Sequence, residues 1–303
     1  MNERIDRVVE EATRTGRIVG TVVLVSVDGT LVYQNALGFA DRESGRPMTT
    51  DAVFRWASLT KPLTSVATLA LVDRGVIGLD EPLTKFIPGF RPKLPSGEEP
   101  AILVRHLLTH TSGLTYALFK RAGNPYDKAC VSDGLDAPGL SIEENLRRVA
   151  SVPLLFAPGS GWHYSIATDV LGEVIARASG ASLPKLIAEL VTVPLGMSDT
   201  GFAPPERSRL ATAYANAKPC PERMKAHHLL TSGEDTLLRA GSQLRSRFVP
   251  FGRSRPVRNG SRFPAVPRGY AHRRYRYTFS RFPRFAHHRC NGRFADVYAR
   301  VGV

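Results

Sequence analysis

The sequence predicts an α/β protein, and two observations support this class. Near the N-terminus, β-prone runs at residues 22–27 and 31–34 flank Asp28-Gly29, a dipeptide typical of two-residue hairpin turns. Helix-like sequence then occurs in five segments, which are residues 2–15, 63–72, 142–150, 168–179 and 183–195. The 303 residues are enough for one large domain or two smaller ones with a sizeable core.

Start and stop signals bound several of these elements. Gly16 ends the first helix, and Gly75 ends the helix that contains residues 63–72. Ser141 is a predicted N-cap, with Glu144 as its capping-box partner. Residues 91–100 and 115–140 lack helical or strand periodicity and are predicted loops.

Charge divides the chain into two regimes. The net charge of the whole chain is +14. Residues 240–303 contain 15 arginines, no lysine and one acidic residue, Asp296, so this segment alone accounts for the excess. Residues 1–239 are therefore neutral overall, and the total charge does not by itself indicate a nucleic-acid or membrane partner.

Targeting and metal-binding patterns are not found in the sequence. No run of 18 or more apolar residues occurs, and the first 20 residues begin with charged, helix-like sequence instead of a signal peptide's apolar core. The three cysteines, Cys130, Cys220 and Cys290, are far apart and lack metal-site spacing. We therefore expect a cytoplasmic protein without a membrane partner, disulfides or zinc.

A serine and a lysine stand three residues apart at the start of the second helix. Three positions along a helix bring two side chains to one face, so the Lys61 amine can reach the Ser58 hydroxyl. A serine needs a neighbouring base to become a good nucleophile, and a lysine can serve where desolvation or nearby positive charge holds it partly neutral. Pro62 lacks an N–H and so belongs in the first turn, where free N–H groups can stabilise an oxyanion.

The same pattern also has a simpler interpretation, a solvated serine beside a surface lysine. Ser-x-x-Lys is short enough to occur by chance. Residues 63–72, however, are mostly apolar all round, which is typical of a buried helix and unusual for anchoring a surface lysine. We therefore predict that Ser58 is a nucleophile and Lys61 its partner.

Two histidines at spacing i, i+4 follow the predicted loop at 91–100. His106 and His110 could ligate a metal if both lay on one helix face. Because no acidic residue or third ligand accompanies them, we favour a structural role, with nearby Thr and Ser hydroxyls bonding the backbone at a turn.

An aromatic loop precedes the helix at 168–179. Pro-Gly-Ser-Gly at residues 158–161 presents Trp162, His163 and Tyr164 on this loop. Tyr164 could share or relay the proton of the nucleophile. The alternative is a packed aromatic ring with its hydroxyl at the surface.

Five motifs resemble those of the serine β-lactamase-related family, which includes class C β-lactamases, low-molecular-weight penicillin-binding proteins and family VIII carboxylesterases. The motifs are Ser58-x-x-Lys61, Gly78-Leu79-Asp80 to Leu83, Leu107 to Leu114, Pro158-Gly159 to Tyr164-Ser165, and Pro194-Leu195-Gly196-Met197. The resemblance covers roughly residues 5–215. The form of the stretch from Trp162 to Gly172 is most similar to the esterase branch.

The resemblance implies an antiparallel sheet flanked by helices, with an inserted helical subdomain and the site between them. It also implies that Ser58, Lys61 and Tyr164 are catalytic. Lys61 and Tyr164 would together deprotonate Ser58 for acylation and help activate water for deacylation, and which of them is the base stays open. The side chains expected to border the substrate are Trp162, Ser165 and Ile166. Neither a metal nor an organic cofactor is implied.

The sequence departs from the family pattern at two places. Where β-lactamases and penicillin-binding proteins have an asparagine two residues after the tyrosine, this chain has Ile166, which favours simple esters over β-lactams or peptidoglycan. The family's third motif, Lys-Thr-Gly or a Trp- or His-Gly-Gly variant, has no counterpart in residues 220–303. Residues 245–303 also lack Leu, Ile, Met and Trp, so we predict that the C-terminal strands are missing or replaced and the hairpin has no sheet to join.

We therefore predict an incomplete hydrolase domain at residues 1–219 and an atypical arginine-rich segment at 220–303. The segment could be a nucleic-acid arm, an inert disordered tail, or a hydrolase C-terminus translated in a shifted reading frame. We favour the shifted frame, because arginine occurs without lysine from the point where the resemblance stops. Sequencing the gene across codons 215–245 tests this, and an intact frame would contradict it.

The predicted function is a serine hydrolase that cleaves short-chain carboxylic esters through an acyl-serine intermediate, with a small-molecule ester or amide as its partner. A β-lactamase or D-Ala-D-Ala peptidase is the alternative among enzymes. A catalytically inactive binding protein of the same fold and a nucleic-acid-binding protein are alternatives from other classes, of which nucleic-acid binding is disfavoured. The sequence leaves the oligomeric state open.

Overall fold

A computed structural model describes residues 2–117, 123–134, 139–203, 206–225, 228–232, 236–240, 251–252 and 299–300. Most of the arginine-rich segment lies outside the described residues, and so do the three hypotheses about its nature. Cys290 also falls outside them, whereas Cys130 and Cys220 are exposed free thiols.

Helices and strands both occur, as the predicted α/β class requires. The helices are α1 (Asn2–Arg14), α2 (Thr60–Asp73), α3 (Val104–Leu108), α4 (Pro125–Lys128), α5 (Ile142–Ala150), α6 (Ala167–Ser179) and α7 (Leu183–Ile187). The strands are β1 (Gly20–Val27), β2 (Thr30–Asp41), β3 (Arg46–Pro47), β4 (Phe54–Arg55), β5 (Tyr214–Ala215), β6 (Glu222–Arg223), β7 (His228–Ser232), β8 (Thr236–Ala240), β9 (Phe251–Gly252) and β10 (Ala299–Arg300). Short 3₁₀ turns lie at Ala57–Leu59, Leu83–Lys85 and Arg207–Arg209.

Strands β1 and β2 form the predicted hairpin. Asp28 and Gly29 have φ values of 50° and 77°, the positive values that a tight two-residue hairpin turn needs at both central positions. Val27 pairs with Thr30 directly across the turn. The hairpin prediction is confirmed, and β2 continues well past the predicted end at residue 34.

The hairpin is part of a four-stranded antiparallel sheet with strand order β10-β1-β2-β3. Its edge strand β10 places Arg300 opposite Val22. The prediction that the hairpin has no sheet to join was therefore wrong. It relied on the missing apolar side chains of the C-terminal segment, but strand pairing is made by backbone N–H and C=O groups that every non-proline residue carries.

A second strand pair crosses the predicted domain boundary at residue 219. Strand β5 pairs with β6, so that Tyr214 lies opposite Arg223. The Arg42 guanidinium, from the turn after β2, also donates to the Pro221 carbonyl at 3.0 Å. The division of the chain at this boundary stays a prediction.

Helix α2 packs against α6 at the centre of the larger core. Their buried residues include Leu63, Ala67 and Leu71 on α2 and Val170, Leu171 and Val174 on α6. The expectation that α2 is buried all round was wrong, since Val66 and Leu69 are 47% and 37% exposed. Apolar residues on a folded surface are common, and an apolar sequence does not by itself fix which face is covered.

The helix-boundary signals gave mixed results. Ser141 caps α5 as predicted, because its Oγ accepts the Glu144 N–H at 3.1 Å. Helix α4 lies inside the stretch predicted as a loop, and its start shows a signal that was missed: Asn124 caps it, with Pro125 at the first helical position. The helix predicted over 183–195 changes at residue 188 into a π-helical turn, Ala188–Thr192.

Within the part of the chain that the structure describes, no helix combines the length and apolar character needed to cross a bilayer. The cytoplasmic location stays a prediction.

Candidate active site

The Ser58 side chain is exposed in the short 3₁₀ turn that leads directly into α2. Ala57, which precedes it, has φ 42°, a left-handed conformation uncommon for a residue other than glycine. Such backbone strain persists only where the surroundings enforce it, and here the neighbouring Trp56 is anchored in the core at 7% exposure. Pro62 lies in the first turn of α2, as predicted.

Two polar groups converge on the Ser58 hydroxyl. Lys61, one helical turn further on, has its Nζ 3.2 Å from Ser58 Oγ. Tyr164, on the loop before α6, donates its hydroxyl to the same oxygen at 2.8 Å. The structure therefore brings together all three residues predicted to be catalytic.

The Lys61 ammonium is surrounded by aromatic rings instead of carboxylates. Its Nζ lies 4.8 Å from the ring centroid of Tyr164 and 5.4 Å from that of Tyr116. Within the described ranges, Lys61 forms no ion pair with an acidic side chain. Ring faces attract a cation without supplying a neutralising charge, so the lysine is held in place without a salt bridge.

A partly buried carboxylate lies behind these rings. The Tyr116 hydroxyl donates to Asp169 Oδ2 at 3.3 Å. Burial raises the pKa of the Asp169 carboxyl to about 6, although the positive charge of Lys61 acts in the opposite direction. Burial likewise raises the pKa of Tyr116 far above its usual value, so this phenol stays a donor. Asp169 had no predicted role, although an acid in the first turn of an apolar helix is a visible signal.

The three residues expected to border the substrate differ in accessibility. Trp162 is 64% exposed, and its ring meets that of His110. Ser165 and Ile166 are 0% and 2% exposed, and they pack beneath the loop at the start of α6. Of the three, only Trp162 can contact a substrate in this structure, because the backbone turn into α6 directs the other two side chains into the core.

The two histidines do not share a helix face. His106 lies within α3, where its Nδ1 accepts the Leu103 N–H at 3.2 Å. His110 lies beyond the end of α3 with φ 56°. Two histidines so placed do not share a ligand geometry on one helix, and among the described residues no group of three or more His, Cys, Asp or Glu could hold a metal ion. The structural role of the pair stays a prediction.

With this geometry in place, the chain can be compared with known proteins. A model of the beta-lactamase family matches residues 5–272. The chain belongs to the beta-lactamase family. The match extends beyond the roughly 5–215 spanned by the recognised motifs and into the arginine-rich segment.

Relatives within the beta-lactamase family include esterases. The chain is 48% identical over 247 residues to "Esterase EstB" of Burkholderia gladioli, an alignment that covers 82% of this chain and 62% of that protein. It is 30% identical over 230 residues to "Lovastatin esterase" of Penicillium rubens, which covers 71% of this chain and 56% of that protein. The chain therefore spans less than two thirds of the length of these curated relatives.

Solved structures show the same beta-lactamase-type fold, in which helices flank an antiparallel sheet. EstCE1, titled a hydrolase with promiscuous acyltransferase activity, superposes with a TM-score of 0.78 at 36% identity, over 83% of this chain and 68% of that chain. The penicillin-binding protein homologue of Pyrococcus abyssi has a TM-score of 0.61 at 23% identity, over 83% of this chain and 53% of that chain. At 23% identity, the similarity to the Pyrococcus abyssi protein is a similarity of fold alone.

A cavity of about 260 Å³ borders the turn that carries Ser58, on the side that faces strands β1 and β2. Its lining includes Met48, Phe54, Ala57 and Leu59, but neither Lys61 nor Tyr164. The cavity therefore borders the turn that carries Ser58 without including the two groups that hydrogen-bond to its hydroxyl.

Proposed function

We propose that this chain is a serine hydrolase that cleaves short-chain carboxylic esters through an acyl-Ser58 intermediate. One observation carries the proposal: the hydroxyl of Ser58 is within hydrogen-bond distance of both Lys61 Nζ, at 3.2 Å, and the Tyr164 hydroxyl, at 2.8 Å. Acyl transfer requires a nucleophile, a group that removes its proton and a group that passes a proton on. Ser58, Lys61 and Tyr164 can supply these three functions.

In the proposed acylation step, Ser58 Oγ attacks the ester carbonyl carbon. Its proton passes to Lys61 Nζ or the Tyr164 oxygen, one of which must first lose a proton to solvent, because both donate to Ser58 Oγ in this structure. The tetrahedral intermediate then collapses, the bond to the alkoxy oxygen breaks, and the leaving alcohol takes a proton from the same pair. In the second half-reaction, water attacks the acyl-Ser58 carbonyl and gives a proton to the pair. The bond between the acyl carbon and Ser58 Oγ then breaks, Oγ takes that proton back from the pair, and the carboxylic acid leaves.

The negative charge on the tetrahedral intermediate needs a hydrogen-bond donor. The Ser58 N–H donates to no backbone carbonyl of the described residues, because the 3₁₀ turn begins at Ala57 and its first bonds come from Leu59 and Thr60. An N–H at the start of a helix also points along the positive end of the helix dipole. We propose that this N–H contributes one donor to an oxyanion hole.

An ester substrate is favoured over a β-lactam by the residue two positions after the tyrosine. Ile166 is apolar and 2% exposed, so it offers no hydrogen-bonding group to the amide of a β-lactam or a peptide. The esterase relatives agree with this preference, and the exposed Trp162 supplies an apolar surface on which a small acyl or alkyl group can rest.

The test is steady-state hydrolysis of p-nitrophenyl butyrate and of the β-lactam nitrocefin, with the full chain and with Ser58→Ala. We expect ester turnover that Ser58→Ala abolishes and nitrocefin turnover that is far slower. Ser44→Ala, which changes another exposed serine in the turn after β2, serves as the matched control and should behave as wild type. Ester turnover unchanged in Ser58→Ala, or nitrocefin cleaved faster than the ester, would contradict the proposal.

A further inference from the structure

His110 contacts each of the four residues of the aromatic loop, 162–165. Its backbone carbonyl accepts the His163 N–H at 3.0 Å. Its Nδ1 accepts the Ser165 N–H at 3.2 Å and lies 3.2 Å from Ser165 Oγ. Its ring lies 4.8 Å from the Tyr164 ring at an interplanar angle of 42° and meets the Trp162 ring edge-on at 6.4 Å.

We infer that His110 is the positioning residue that holds the Tyr164 hydroxyl over Ser58, with its neutral Nδ1 as the acceptor that fixes the loop. The inference rests on the proposed function of the same site. It assigns a task to a histidine that touches neither Ser58 nor the position where an ester carbonyl would bind.

The neutral form of His110 follows from its hydrogen bonds. The Ser165 N–H can only donate, so Nδ1 must present a lone pair and the ring proton resides on Nε2. A proton on Nδ1 would set two donors against each other and release the backbone next to Tyr164. Burial, followed by the positive charges of Lys61 and His163, lowers the pKa of His110 to about 4, which keeps the ring neutral near pH 7.

The backbone at His110 shows that its location is enforced. A φ of 56° is uncommon for a histidine, and such a conformation persists only where the surrounding contacts require it. The stretch after it continues alongside the loop: Thr115 Oγ1 lies 2.8 Å from His163 Nε2, and the Thr115 carbonyl accepts the Ile166 N–H. His110 is thus the strained first residue of a segment that packs along the aromatic loop, residues 162–165.

Two substitutions separate the side chain from the backbone. His110→Gly removes the ring and the acceptor but accepts a positive φ without strain. His110→Asn keeps an acceptor oxygen near the place of Nδ1, cannot be protonated, and also tolerates a positive φ. His106→Asn is the matched control: it changes a nearby histidine whose Nδ1 accepts the Leu103 N–H and whose Nε2 lies next to Gly159, outside residues 162–165.

The experiment measures kcat and KM for p-nitrophenyl butyrate and thermal unfolding for all four proteins. We expect His110→Gly to lower kcat by about 10- to 100-fold with KM within about threefold, because a catalytic group misplaced by about 1 Å can cost this much. His110→Asn should recover most of the lost kcat, and His106→Asn should match wild type.

The remaining outcomes each overturn something specific. Wild-type kcat in His110→Gly, or an equal loss in His110→Gly and His110→Asn, would overturn the inference while leaving the proposed function intact. A wild type that does not turn over the ester would overturn the proposed function and this inference with it. If His110→Gly does not fold, His110→Asn decides alone: near-wild-type kcat supports the inference, and a loss of about 10-fold or more overturns it.

Discussion

The helical part of the molecule and the sheet differ in how completely buried side chains fill their cores. Among the described residues, the larger core cluster extends from Trp56 to Val191 and includes α2, α3, α5, α6 and α7. The cluster on the sheet side contains five buried residues, Val22, Ala40, Met48, Ala52 and Ala211, and it borders the cavity of about 260 Å³. The turn that carries Ser58 adjoins both the larger cluster, through Trp56, and the cavity, through Ala57 and Leu59.

This difference in packing indicates which part of the molecule positions the groups around Ser58. Lys61 is on α2, and Tyr164 is on the loop that enters α6, so both groups that hydrogen-bond to Ser58 Oγ are attached to the larger core. Packed interiors resist small displacements, since side chains interlock at near-crystalline density. The larger core therefore sets the geometry of the site. The turn itself begins after strand β4, which pairs with β9 apart from the four-stranded sheet.

The largest expected effect compares two tyrosines, one in each part. Tyr164→Phe removes the donor to Ser58 and should lower kcat by about 10²- to 10⁴-fold, the usual worth of a positioned proton-transfer group. Tyr33→Phe removes a hydroxyl on β2 that bonds Asp6 of α1 and should leave kcat unchanged. Steady-state hydrolysis of p-nitrophenyl butyrate measures both. Equal losses in the two variants would mean that the sheet controls the site as strongly as the helices do.

Truncation in each core tests the packing difference directly. Leu171→Ala, at a residue with 0% exposure on α6, should lower the free energy of unfolding by about 2–5 kcal/mol. Met48→Ala should cost about 2 kcal/mol or less, because its side chain already borders the cavity and loses fewer packing contacts. Chemical denaturation measures both. A larger loss for Met48→Ala would show that the sheet cluster is the more tightly packed.

Two glycines with positive φ compare an open turn with a tight backbone contact. Gly29, in the hairpin turn, has φ 77° and open space where a Cβ would lie, so Gly29→Ala should cost only the conformational strain of about 1–2 kcal/mol. Gly113 has φ 80°, and an added Cβ would clash with the Phe156 carbonyl oxygen at 2.3 Å. Gly113→Ala should therefore destabilise clearly more than Gly29→Ala, by the same denaturation measurement. Equal losses would contradict the close approach of Gly113 to the Phe156 carbonyl.

The last prediction concerns the carboxylate behind Lys61. The pKa of Asp169 is raised to about 6 in the folded protein, whereas a solvated aspartate titrates near 4. Between these values the folded state binds more protons than the unfolded state, so this group lowers stability as the pH rises from about 4 to 6. Asp169→Asn should therefore stabilise the protein at pH 7 by about 1–3 kcal/mol, with the gain vanishing near pH 4.

Thermal or chemical unfolding at several pH values tests this prediction. His110 acts in the opposite sense over a similar window, because its pKa is lowered to about 4 and its contribution to stability increases with pH. The difference between wild type and Asp169→Asn isolates the aspartate, since His110 is present in both. A stability difference that is equal at pH 4 and pH 7 would contradict the assignment.

What the sequence predicted correctly was mainly local. The pairing of Ser58 with Lys61 follows from helical spacing, and the hairpin turn follows from the conformational needs of Asp28-Gly29. Tyr164 is 106 residues from Ser58, and it could be placed at the site only through the order of the family motifs.

What the sequence did not predict depends on tertiary packing. The contacts of His110 with the tyrosine loop and the burial of Ser165 and Ile166 arise where two distant segments meet, and neither spacing nor composition records such a meeting. The pairing of β10 with β1 was missed because it is made by the backbone, whereas the prediction was based on side-chain composition. Pattern reasoning therefore identified the chemical groups but not the groups that hold them.

The most direct test of the central claim is mass spectrometry of the full chain after incubation with a fluorophosphonate, with Ser58→Ala treated in parallel. If Ser58 is a nucleophile activated by Lys61 and Tyr164, one covalent adduct should map to the peptide that contains Ser58 and be absent from the variant. No adduct on a folded sample, or the same adduct on Ser58→Ala, would contradict the claim that this serine is the nucleophile.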